Sequence, residues 1–222
     1  MISVIFVMGP TGAGKSTVVG NADVYTQLND NIIGLSYRSF HAVEVGKEFR
    51  KRYPPEYFDG KAAMPHTEDE AFSIFQEQFI KAIDHHTNMC QINPDYESVI
   101  LVDGYPRTPL QVDRCQDLVT WHTDCYGVVW LDCDEQEREQ RLNYRDIDES
   151  TRELSRKRFE SDYGYYMRVV ARFVENMQTP DTIAPLPIIV DSLISPDTLY
   201  LFKRVCKWQK KIHQHLKSVL VS

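Results

Sequence analysis

The chain opens on Ile2-Ser3-Val4-Ile5-Phe6-Val7-Met8, an apolar run broken only by Ser3 and closed by Gly9-Pro10. A short apolar segment bounded by turn residues predicts a strand buried on both faces, as in a parallel sheet. Comparable runs recur at Ser98–Val102, Gly127–Leu131 and Leu186–Val190, and Phe40–Val45 gives a less regular one. The segments between them carry the helical period instead. Phe72, Phe75, Phe79 and Ile83 fall three, four and four residues apart, one face of a helix over 67–86. Met64-Pro65-His66-Thr67 ahead of Glu68, Asp69 and Glu70 marks its start, with acidic residues at the positive end of the helix dipole. Ser16–Leu28 and the amphipathic Leu199–Leu216 predict further helices. Strands alternating with helices predict an α/β class with a parallel five-stranded sheet flanked by helices, one domain over 1–222. The stretch 46–66 is polar, aromatic and interrupted by prolines, and reads as a small insert rather than sheet or core.

In such sheets ligands sit beyond the carboxyl ends of the strands, which places the chemistry just after Met8, Val45, Val102 and Leu131. After Met8 comes Gly9-Pro10-Thr11-Gly12-Ala13-Gly14-Lys15-Ser16-Thr17, matching G-x-x-x-x-G-K-[ST] between a predicted strand and a predicted helix. Glycines let backbone N–H groups turn inward around phosphate oxygens. The amides of Gly12, Ala13, Gly14, Lys15, Ser16 and Thr17 would cradle a triphosphate, Lys15 would place an ammonium on its outer phosphates, and the Ser16 hydroxyl could ligate Mg²⁺. The loop alone does not separate a kinase from a hydrolase or a switch. The N-K-x-D sequence with which GTP switches read their base is absent.

The second mouth residue set is Val102-Asp103-Gly104-Tyr105-Pro106-Arg107. Asp103 at a strand tip is placed to hold Mg²⁺ directly or through water, and Arg107 points into the same opening. Six arginines crowd 138–158, and Arg138, Arg141 and Arg145 share one helical face. For Arg138 a solvated face, offset by Glu135, Glu137 and Glu139, is the expectation; for Arg141 and Arg145, a ligand. The formal net charge of −7 argues against broad nucleic-acid binding, so this local density suggests a small anion. Five scattered cysteines form no CxxC pair, which fits reduced cytoplasmic thiols rather than a disulfide frame or zinc site. The first apolar run is too short for a signal peptide or a membrane span. The seven histidines show no metal or triad spacing and are expected to be superficial or satisfied.

DGYPRTPLQ resembles the DGFPRT–Q signature of the adenylate kinase family of nucleoside monophosphate kinases. GPTGAGKST resembles that family's GxPGxGKGT, and Val45–Arg50 its TGDLLR. Ala63-Met64-Pro65 is similar to its LVP, Leu131-Asp132 with Arg141 and Arg145 to its strand, helix and arginine pair, and Lys157–Glu160 to its KRLE. The resemblance runs collinearly over residues 2–205. It implies a P-loop kinase that uses ATP and Mg²⁺ to phosphorylate a nucleoside monophosphate, with no nucleic-acid or membrane partner, as a monomer or small homo-oligomer. An acceptor-binding insert would span 46–85 and a short lid 142–156. Lys15 would hold the transferred phosphoryl group, and Arg50 and Arg107, beside Gly104, would clamp the acceptor phosphate. Gln111 would bond the acceptor base, giving a preference for adenine. Arg141 would lie against the donor base, while Arg145 or Arg152, and Arg158 or Arg156, would close on the phosphates. Lys47 stands where the family has Asp, and the lid has no cysteines, which excludes a zinc-bearing long lid.

Overall fold

The computed structural model describes residues 1–33, 37–53, 68–144, 153, 164–173, 175–176, 186–190 and 198–220. Its elements run β1 (Ile2–Met8), α1 (Lys15–Gly20), α2 (Ala22–Ile33), β2 (Arg38–Glu44), α3 (Val45–Arg52), α4 (Glu68–Ile92), β3 (Glu97–Asp103), α5 (Pro109–His122), β4 (Cys125–Leu131) and α6 (Glu135–Tyr144). A helix over 164–173, here α7, then leads to β5 (Leu186–Val190) and α8 (Thr198–Leu220).

The strands lie in the order β2-β3-β1-β4-β5, and every pairing is parallel. β1 is central because its seven residues are all buried, and side chains alternate between the two faces of the sheet. Val4, Phe6 and Met8 join Ile100, Val102, Tyr126 and Val128 on one face, which α3, α4, α5 and α7 cover. Ile5 and Val7 join Val99, Leu101, Val129 and Leu131 on the other, under α1, α2 and α8. An unbroken apolar run is therefore what a two-sided core demands of its central strand.

The helices follow the predicted faces and extend past them. Phe75, Phe79 and Ile83 of α4 are buried, with Phe72 packed at the margin. The segment expected as one helix over Ser16–Leu28 is two, divided at Asn21, where the Gly20-Asn21 pair supplies two weak helix formers. The insert reading needs correction at its start: Val45 and Phe49 of α3 enter the core, so 45–52 is a packed helix. Tyr53 packs against Phe49, its ring centroid 6.0 Å away, and its hydroxyl bonds Glu70. Tyr53 thus belongs to the local packing. α7 is fastened to α5 by Arg172, whose Nε and Nη2 donate to Asp113 Oδ1 and Oδ2 at 2.8 and 3.0 Å. That pairing holds the Asp113 carboxyl below the usual range.

At the amino ends of β2 and β3 sits a group of polar side chains that the sheet encloses. Ser39, His86 and Ser98 are buried, and the His41 and His85 rings meet edge to face at 5.0 Å. Burial, reinforced by the neighbouring His85 and His86 and opposed by Asp23, lowers the His41 imidazole to about 4. The folded chain therefore binds this proton less readily than the unfolded chain, whose imidazole titrates near 6.5. Stability is expected to be full above that value and to fall as pH drops from about 6.5 towards 4, by on the order of 2 kcal/mol. Urea unfolding near pH 7 and about pH 5 reads this, and His41→Asn should flatten the dependence. An unchanged slope in that variant would discard the assignment.

Candidate functional site

The loop Gly9–Gly14 leaves the carboxyl end of β1 between the ends of β3 and β4, its neighbours in the sheet. Lys15 turns back over it, its Nζ donating to the carbonyls of Gly9 and Pro10 at 2.7 and 2.9 Å. The same ammonium lies 5.4 Å from the centroid of the Tyr166 ring, a buried residue of α7. Two glycines of the loop are required by close approach: a Cβ at Gly9, where φ is +144°, would stand 2.4 Å from the Leu131 carbonyl oxygen, and one at Gly12, where φ is +90°, would stand 2.7 Å from Arg138 Cγ.

Arg138 thus corrects the expectation of a solvated face. It is 1% exposed, its stem lies against Gly12, and its Nη2 meets Glu139 and Glu135 at 3.1 and 3.5 Å. Helical spacing put Arg138 and Arg141 on one side of α6; what the sequence withheld was that this side faces the loop. Arg141 lies there too, with Nη1 donating to the Gly12 carbonyl at 3.2 Å and Nη2 paired with Glu137. Two guanidinium groups thus line the loop, each already paired with carboxylates of α6. Arg145 and Arg158, with their alternatives Arg152 and Arg156, lie outside the described residues, as does most of the lid.

β3 delivers the next group. Asp103, at its carboxyl end and 9% exposed, accepts a hydrogen bond from Ser16 Oγ through Oδ2 at 2.7 Å. The loop hydroxyl and the strand-tip carboxylate, 87 residues apart, therefore share one spot. Among the described residues no group of three His, Cys, Asp or Glu side chains is placed to hold a metal ion alone. The oxygen-only pair suits Mg²⁺, which keeps most of its waters and takes one or two protein oxygens together with phosphates.

The backbone then passes through Gly104 at φ +82°, where a Cβ would stand 2.9 Å from the Gly46 nitrogen. This close approach of the β3 exit to the first turn of α3 brings two arginines together. A Cβ built on Gly46 would lie 3.5 Å from Arg107 Nη2 and 3.6 Å from Arg50 Nη1, so both guanidinium ends flank one point. Arg107 is steadied by its Nε donating to the Gly104 carbonyl at 3.1 Å. Two like charges aimed at one point repel, and an anion placed between them relieves that repulsion.

Gln111 is buried behind this pair, and both ends of its amide are engaged. Its Oε1 accepts from the Arg107 amide at 2.6 Å and its Nε2 donates to Glu68 at 2.5 Å. Thr108 caps α5, its Oγ1 accepting from the Gln111 amide at 3.2 Å, with Pro109 in the first turn. Thr108→Ala is expected to lower stability by about 1 kcal/mol, measured by denaturant unfolding. No loss would place the capping elsewhere. Glu68, unremarked in the sequence beyond its helix-start role, is the acceptor that orients Gln111.

No protein-family model matches the chain, and no curated protein matches it. Among solved structures, it is similar to a sugar kinase from Janibacter sp. HTCC2649, at 15% identity and a TM-score of 0.44 over 97% of this chain and 98% of that one. It is also similar to a gluconokinase from Sinorhizobium meliloti 1021, at 14% identity and a TM-score of 0.44 over 96% and 97%. The activities in those descriptions are those of the two neighbours. Among the described residues no helix is long and apolar enough to cross a membrane.

Proposed function

We propose that the chain is an ATP-dependent phosphotransferase whose acceptor is a small molecule already bearing an anionic group. The observation that carries this is the convergence of Arg50 and Arg107 on Gly46, with the adjoining Gly104 continuous with Asp103 and so with Ser16. A hydrolase or switch has no need of a second cationic site beside its triphosphate loop. Phosphoryl transfer does, because it asks the protein for positioning and charge stabilisation rather than covalent chemistry.

In this reading the loop amides hold the donor phosphates, and Lys15 exchanges the Gly9 and Pro10 carbonyls for an outer phosphate oxygen. Ser16 and Asp103 are the oxygens that would hold Mg²⁺, which supplies charge neutralisation on the phosphates when bound. Arg107, fixed through Gly104, and Arg50 hold the acceptor's anion so that its nucleophilic oxygen faces the loop.

Two acceptor classes arise from different observations. The resemblance of DGYPRTPLQ to the adenylate kinase family favours a nucleoside monophosphate. The engagement of Gln111 by Glu68 and by the Arg107 amide favours a non-nucleotide metabolite, because the amide that would read a base is already committed. The test is product detection with ATP and Mg²⁺ across the common ribo- and deoxyribonucleoside monophosphates, alongside a panel of sugar acids and sugar phosphates. Product from the first set selects the nucleotide reading, and product from the second alone selects the metabolite. ATP hydrolysis with no phosphorylated acceptor in either set would sink the transferase reading.

A further inference from the structure

The buried polar group at the amino ends of β2 and β3 forms a continuous relay that ends on a sulfur. Cys90 Sγ lies 3.2 Å from His86 Nε2, one helical turn back on α4. His86 Nδ1 lies 3.0 Å from Ser98 Oγ, Ser98 Oγ lies 3.3 Å from Ser39 Oγ, and Ser39 Oγ lies 2.7 Å from His41 Nε2. One assignment of protons satisfies every link: Cys90 S–H donates to His86 Nε2, His86 Nδ1–H to Ser98, Ser98 to Ser39, and Ser39 to His41. The reverse assignment satisfies them equally, which is the property of a chain able to pass a proton along itself.

Cys90 differs in this from the other thiols. Cys115, Cys125 and Cys133 are buried, whereas Cys206 shares the partial exposure of Cys90 but has Arg38, not an imidazole, as its side-chain partner. We propose that Cys90 is a thiol-modification site, with His86 as its base and Ser98 as the group that orients that base, reacting with low-molecular-weight disulfides. The arrangement of nucleophile, base and orienting hydroxyl is the one that activates a weak nucleophile. His86 stays neutral at neutral pH because burial, and then the Met1 ammonium and His85, lower its pKa against the opposing pull of Asp124. Its neutral Nε2, 3.2 Å from the sulfur, offers a lone pair to the thiol proton, and the same burial makes the imidazolium short-lived, so the proton is soon released to the leaving thiolate. Cys90 stands in the last turn of α4, where the negative end of the helix dipole gives a thiolate no support. Activation accordingly rests on His86.

The step balances without a further reagent. The thiol proton moves to His86 Nε2, and the sulfur attacks one sulfur of the disulfide. That S–S bond breaks, and the departing thiolate takes the proton from His86. The products are a mixed disulfide on Cys90, now oxidised, and one free small thiol, now reduced. The site is at the opposite end of the sheet from the phosphate loop: Ser98 pairs with Ile2 at the start of β1, and the loop leaves Met8 at its end.

The experiment is exposure of the folded, reduced protein to glutathione disulfide, with peptide mass spectrometry following each cysteine in time. Cys90 is expected to gain the adduct about tenfold faster than Cys206, with Cys115 unmodified. His86→Gln should bring Cys90 to the Cys206 rate without altering Cys206. Reaction at Cys90 no faster than at Cys206, or unaffected by His86→Gln, overturns the proposal. Should that variant unfold, modification of Cys115 reports it, and Ser98→Ala serves in its place: several-fold slowing at Cys90 alone is expected, and an unchanged rate overturns the proposal.

Discussion

Lys15→Ala is expected to lower phosphoryl transfer at saturating ATP by about 10³-fold while leaving the melting temperature within a few degrees of the parent. The structural cost is small because Lys15 is itself only half-buried, and its truncation opens the place over the Gly9 and Pro10 carbonyls to water. The functional cost is large because no other side chain among the described residues of the loop and α6 can bring a mobile cation onto the outer phosphates. Arg141 is drawn to the Gly12 carbonyl and Glu137, and Arg138 is buried with its stem against Gly12. Neither replaces a flexible four-carbon stem. Lys15→Arg should rescue poorly for the same reason: a planar fork does not fit the geometry that a point charge occupies between those two carbonyls. Transfer assays, equilibrium nucleotide binding and a thermal melt together separate the two costs. A Lys15→Ala protein that transfers within tenfold of the parent would remove Lys15 from the chemistry.

The elements were legible where one physical signal decided them. The β1 run reads as a two-sided strand because both faces of the sheet are covered, and the Phe72–Ile83 period reads as α4 because its inner face alone is apolar. Signals failed where tertiary contact decided the outcome. Phe40–Val45 blurs because β2, at the sheet edge, mixes buried and open positions without a regular period and then turns directly into α3 at Val45. The start of the insert looked polar because six of the eight residues of α3 are Gly, Lys, Glu or Arg, although Val45 and Phe49 anchor it in the core.

The loop side of the candidate site could be read from one contiguous stretch, since Gly9–Gly14 carries its own backbone requirement. Arg138 could not. Its burial depends on Gly12, whose lack of a side chain admits the arginine stem, and no local pattern links positions so far apart. The same holds for Gln111. Its place in the sequence suggests a reader of bases, but only packing of the α4 start against the α5 start shows that Glu68 holds it. Gly46 and Gly104 are of the same kind. Each looks like an ordinary turn residue, yet their contact brings together the two guanidinium groups of the proposed acceptor site.

That separation gives the second large effect. Arg107→Ala is expected to reduce kcat/KM for the acceptor by about 10²-fold, close to 2.7 kcal/mol, with KM for ATP little changed. The Arg107 side chain reaches the acceptor point and leans on the Gly104 carbonyl, whereas its backbone amide, which truncation spares, is what Gln111 accepts from. Arg50→Ala should act in the same direction, and the double variant should lose less than the product of the two, because both groups serve one anion. Stability should move the other way. Without ligand, Arg50 and Arg107 are like charges flanking one point, so removing Arg50 should leave the melting temperature unchanged or slightly raised, most visibly at low salt where screening is weakest. A loss of acceptor affinity paired with no loss of stability is the signature of a ligand-holding pair. Equal losses of both would make the two arginines structural, and an unchanged acceptor KM would move the anion site away from Gly46.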